Sequence, residues 1–109
     1  MEIKDWLDKL KNPSMMTPAQ IRDGYMEMSA YYAQIHTELS DTTAEFNRLL
    51  AQYLEDDEVP HNKARALALG TDVGAKMVKL GGREKSILEV IRSLKKAQQY
   101  YENEARNNY

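Results

Sequence analysis

The sequence predicts an all-α fold: a short N-terminal helix followed by a long, coiled-coil-like antiparallel two-helix hairpin. Three observations carry this. Between Thr17 and Glu55, apolar residues alternate four and three apart without a slip: Ile21, Tyr25, Met28, Tyr32, Ile35, Leu39, Thr42, Phe46, Leu49, Tyr53. That spacing is the seam of a long helix packed on a partner helix. Beyond Pro60 the alternation resumes as Ala66, Gly70, Val73, Met77, Leu80, Glu84, Ile87, Ile91, Leu94, Gln98, Tyr101 and Ala105. Charged residues make up 29% of the 109-residue chain, which holds only three prolines and five glycines and has no apolar run alternating at period two. This composition favours helix over strand, and the length predicts a single domain.

The elements follow in order. Residues of about 2–11 form an amphipathic helix with Ile3, Trp6, Leu7 and Leu10 on one face, ending before Asn12-Pro13. So short a helix is marginal alone and needs a surface to dock on. Trp6 is the natural core anchor, with a partner-binding anchor as the alternative. Thr17, Pro18 and Gln20 then make a complete helix start: N-cap, first-turn proline and capping box, with Met16 and Ile21 placed as a hydrophobic staple. The long helix runs over about 18–55 and ends in a turn at 56–62, where carboxylates oppose the dipole and Pro60 stops it. Asn62 is a candidate cap for the next helix, and Pro60 a competing start.

The second long helix is expected over about 63–106. Its stripe keeps phase across Gly81-Gly82, so one helix, bent there or straight, is predicted rather than two hinged ones. Folding at the turn pairs Tyr53 with Ala66, Leu49 with Gly70, Phe46 with Val73, Leu39 with Leu80, Tyr32 with Ile87, Met28 with Ile91 and Tyr25 with Leu94. Large residues face small ones near the turn, which lets the backbones approach. Thr42, Glu84 and Gln98 are polar misfits in the seam. Apolar residues outside it, among them Met26, Leu67, Val78, Val90 and Tyr100, need covering by the first helix, a second copy or a partner. A homodimer completing a four-helix bundle is the simplest arrangement.

Net charge is −2, unevenly spread. Residues 17–58 carry two basic and nine acidic side chains; residues 63–109 carry ten basic and five acidic. The opposite signs predict pairing between the two long helices. On the second helix, Lys76, Lys79 and Arg83 flank the seam, within expected reach of those acids. Lys85, Arg92, Lys95, Lys96 and Arg106 fall opposite Ile87, Ile91 and Leu94 and should be exposed, with Tyr100, Tyr101 and Tyr109 close behind. Such a face suits phosphates and stacked bases, or a protein partner, although Glu89, Glu102 and Glu104 dilute it.

Signatures of other chemistry do not occur. His36 and His61 stand in no recognised metal-ligand arrangement: H-E-x-x-H is not found, and neither is a Glu-x-x-His of the di-iron bundle type, since His61 with Glu58 lies in the turn. Glu38, Asp41 and Glu45 read as a solvated acidic stripe. No phosphate loop or nucleophile elbow appears, and Gly70 with Gly74 suggests close helix packing. The expectation is no enzyme, no cofactor, no metal and no small-molecule substrate. With no cysteine, no apolar run near the ~18 residues of a membrane span and an acidic N-terminus, the chain reads as a cytoplasmic protein.

The W-x-G turn of the small secreted hairpin proteins of type VII systems is missing, since Trp6 lies far from the bend at Glu58-Val59-Pro60-His61. In size and composition the chain is similar to small accessory proteins encoded by bacteriophages. The functional expectation is a non-enzymatic helical interaction or scaffolding module that binds a protein partner and self-associates, with a dimer favoured. The alternative is a nucleic-acid-binding accessory protein using the basic face of the C-terminal helix.

Overall fold

The computed structural model describes residues 3–12 and 15–107. Among them are four helices and no strand: α1 (Ile3–Leu10), α2 (Pro18–Leu54), α3 (His61–Leu69) and α4 (Asp72–Asn107). The chain is an all-α helical hairpin built on α2 and α4. Three expectations touch undescribed positions: the first helix at residue 2, the turn at Pro13-Ser14, and Tyr109 of the aromatic group. The chain divides into two compact units: Met1–Ala33 with Lys85–Tyr109, and Gln34–Glu84.

In the first unit, α1 buries Trp6 against Met16, Ile21, Met28, Val90, Leu94 and Ala97. The docking surface for Trp6 is Gly24, where any Cβ would fall on the indole ring, within 2.6 Å of its Cζ3. Trp6 is therefore a core residue, 4% exposed, and in this structure it does not stand out as a partner anchor. Its buried indole N–H has no hydrogen-bond partner among the described residues. Such a group costs ~1–3 kcal/mol, which burial of so large a ring offsets. Val90 and Ala97 lie outside the predicted seam yet are buried, because α1 covers that side of α4.

The start of α2 is built as its sequence implies. Thr17 N–H donates to Gln20 Oε1 at 3.0 Å, and Gln20 N–H donates to Thr17 Oγ1 at 3.1 Å. The pair satisfies two of the helix's otherwise orphaned donors. Met16 and Ile21 are both buried beside it, and the Tyr101 hydroxyl donates to the Met16 carbonyl.

In the second unit the buried side chains are Ile35, Thr42, Phe46, Ala64, Ala68 and Leu80. Thr42 is no misfit: its hydroxyl donates to the Glu38 carbonyl one turn back, at 2.7 Å, so it can be buried without an unmet polar group. The turn is tied by Val59 N–H to the Asp56 carbonyl and Glu58 N–H to the Asp56 carboxylate, both 3.0 Å. Pro60 occupies the N-cap of α3 with no side-chain cap, so Asn62 does not play that part.

The second long helix departs from expectation at one point. It is broken at Gly70-Thr71, while α4 passes through Gly81 and Gly82 in helical backbone. Thr71 causes the restart: its hydroxyl accepts from Gly74 N–H at 3.2 Å as an N-cap and donates to the Ala68 carbonyl at 2.6 Å. Asp72 follows in the first turn, where the dipole favours it. Gly74 lets the last turn of α3 lie against α4, since a Cβ there would meet Ala68 O at 2.5 Å and Leu69 Cα at 2.6 Å. The break resets the helical phase. Ala66 and Gly70, placed in the seam by the sequence pattern, are exposed, and Ala64 and Ala68 are buried instead. Ala66 and Gly70 are thus not the buried residues predicted opposite Tyr53 and Leu49; Phe46 has the Arg65 guanidinium 5.9 Å from its ring centroid.

Candidate functional site

The candidate surface lies on α4 in the first unit. Lys85, Arg92, Lys95, Lys96, Tyr100 and Arg106 are all exposed. Burial of Ile87, Val90 and Leu94 on the inner face turns these side chains outward. They do not form one group. Lys95 leans the other way, its Nζ 5.9 Å from the Tyr25 ring centroid, a cation–π contact that is weak at an exposed site. Lys85, Arg92 and Lys96, spaced seven and four apart, stay on one line of the helix.

Among the described residues the expected pairing of α2 acids with α4 lysines and arginines does not form; His36 of α2 with Glu84 of α4 pairs the two helices in the opposite sense. Among the described residues, no lysine or arginine of α4 forms an ion pair; the salt bridges are Lys11–Asp8, Arg22–Asp23 and His36–Glu84. Lys76, Lys79 and Arg83 flank the predicted seam but find no carboxylate among the described residues. Glu89 likewise pairs with neither Arg92 nor Lys96. The physical reason lies in the faces: Glu38, Asp41 and Glu45 are exposed, turned to solvent by the buried Ile35, Thr42 and Phe46. Acids and bases each occupy the outward side of their own helix.

Beside Lys96 is a groove of about 240 Å³ lined by Leu10, Ser93, Ala97 and Tyr100. It exists because α1 ends at Leu10 over the small residues Ser93 and Ala97. Tyr100 is 53% exposed. Its neighbour Tyr101 packs edge-on, with ring centroids 5.6 Å apart at 77°, and is half-buried with its hydroxyl on the Met16 carbonyl. Of the two described tyrosines behind the basic face, only Tyr100 presents its ring outward.

A feature that sequence spacing did not reveal is His36 with Glu84. Nδ1 of His36 lies 3.1 Å from Glu84 Oε2. Glu84, a misfit in the apolar stripe, sits in the predicted register opposite Ile35 and is only 21% exposed in its side chain. The imidazole gives its carboxylate a partner at the edge of the seam. The residues share a shallow depression with Ser40, Thr43 and Asn47. The available signal was the register itself, which placed Glu84 beside residue 36. Among the described residues no three His, Cys, Asp or Glu side chains converge as a metal-binding group, and no helix is long and apolar enough to cross a membrane.

No family model matches this chain, and no curated protein or solved structure matches it either.

Proposed function

We propose that this chain is a non-enzymatic helical interaction module, a small scaffold that binds a protein partner and pairs with a second copy of itself. The observation that carries this reading is the set of large apolar side chains left outside both cores. Met26 is 64% exposed, Val78 61% and Leu67 45%, all on helices whose inner faces are already filled. Helix faces of this kind gain by being covered, and an isologous dimer is the commonest cover. An intracellular setting belongs to the same proposal and rests on a chain without cysteine.

Multi-angle light scattering tests the self-association. A dimer mass at micromolar concentration is expected, and a clean monomer at high concentration overturns that part. One specific observation favours a second reading, a nucleic-acid-binding accessory protein: Lys85, Arg92, Lys96 and Arg106 are exposed cations without carboxylate partners among the described residues. Oligonucleotide anisotropy across a salt series separates the two. Phosphate contacts predict affinity falling steeply as salt rises and collapsing in Arg92→Glu/Lys96→Glu. No binding at low salt leaves the protein-partner reading alone.

A further inference from the structure

We propose that the groove between α1 and α4 is a docking site for an acidic peptide segment carrying one large apolar side chain. The proposal rests on the protein-partner reading and names the chemistry of that partner. The groove supplies the apolar half: Leu10, Ala97 and the exposed ring of Tyr100 surround about 240 Å³, room for one aromatic or leucine side chain. The cationic half is adjacent. Lys96 lines the groove, and Arg92 and Lys85 continue along the same helix line, about 6 and 16 Å from it by helical rise. These three cations have no ion-pair partner among the described residues. An amphipathic segment with carboxylates on one edge would pair with them while its apolar side chain fills the groove.

Two observations favour a peptide over a nucleic-acid strand on this face. Glu89 lies between Lys85 and Arg92 on the outward side and is exposed. A phosphate backbone, with a charge at every step, would be repelled there, whereas a peptide can present a neutral or basic residue at that point. Base stacking also prefers successive rings, and Tyr101 is held inward by its hydroxyl bond to Met16.

The test uses the full chain and a fluorescein-labelled, glutamate-rich helical peptide of about five turns with one central phenylalanine, read by anisotropy at about 0.15 M salt. Binding is expected, with amide shifts in heteronuclear NMR centred on Ser93, Ala97 and Tyr100. Replacing the peptide phenylalanine by serine should weaken it at least about tenfold, because the apolar burial is lost while every charge remains. Lys96→Glu in the protein should do the same with helicity unchanged. Equal affinity for the phenylalanine and serine peptides would overturn the groove, and no peptide binding would overturn the site. A thymidine oligonucleotide that binds more tightly than the peptide would assign this face to nucleic acid instead. A chain that ignores the peptide yet is dimeric by light scattering loses this site and keeps the interaction-module reading.

Discussion

Substituting alanine for glycine should have opposite signs at two places in the same helix. At Gly74 the new Cβ would lie 2.5 Å from Ala68 O, 2.6 Å from Leu69 Cα and 2.7 Å from Leu69 O. All three are backbone atoms of the last turn of α3, so no side chain can swing aside. Relief requires shifting that turn by the better part of an ångström, which also disturbs the Thr71 cap bonded to Ala68 and Gly74. Overpacking of this kind costs ~1–3 kcal/mol. The intrinsic helix gain of alanine, ~1 kcal/mol in a helix interior, is smaller so near the helix start. The expected net for Gly74→Ala is a loss of about 1–2 kcal/mol. At Gly81 and Gly82 an added Cβ meets nothing within 4 Å. Each alanine there should add up to ~1 kcal/mol. Urea unfolding followed by circular dichroism reads both: the midpoint should fall for Gly74→Ala and rise for Gly81→Ala and Gly82→Ala, with the slope unchanged. A Gly74→Ala protein as stable as the parent would refute the close crossing of α3 on α4. A destabilised Gly82→Ala protein would refute the open space, and would point to a second copy lying on that backbone.

Other substitutions probe the remaining contacts. Gly24→Ala should displace the Trp6 indole and cost ~1–3 kcal/mol; because Trp6 is the only tryptophan, its emission should shift to the red, and unshifted emission would argue against the docked α1. Thr71→Ala removes the cap of α4 and should cost ~1 kcal/mol, measured by the same urea midpoint. Thr17→Ala should cost a similar ~1 kcal/mol and additionally speed amide exchange in the first turn of α2, where Gln20 N–H loses its acceptor. Phe46→Ala opens the second unit's core and should cost ~3–5 kcal/mol, making it the most damaging of the series.

The inward face of α2 was legible residue by residue. Every member of the stripe from Ile21 to Tyr53 is buried or half-buried, Thr42 included. That follows because a helix of this length repeats one geometry, so spacing alone assigns the face. The capping box at Thr17 and Gln20 was equally plain, since its bonds join residues three apart. The break at Gly70-Thr71 was also written locally, in a glycine followed by a threonine and an aspartate, but the resumed alternation beyond Pro60 masked it. Apolar spacing survived the break only as a coincidence of alanines and glycines, which carry little information about which side is buried.

The candidate surface divides along the same line. Exposure of Lys85, Arg92 and Lys96 followed from their place opposite Ile87 and Leu94. That they form no ion pair among the described residues did not follow, because charge totals count acids and bases without saying which way each points. The groove beside Lys96 likewise depends on where α1 ends over Ser93 and Ala97, a contact between segments distant in the chain. What the amino-acid order alone determined is therefore helix identity, helix starts and the inward face of α2, all set by interactions within a turn or two. Tertiary packing alone decided the burial of Trp6 on Gly24, the crossing at Gly74 and the isolation of the basic row. Those depend on which faces of neighbouring helices meet, and the periodicity within one helix is silent about that.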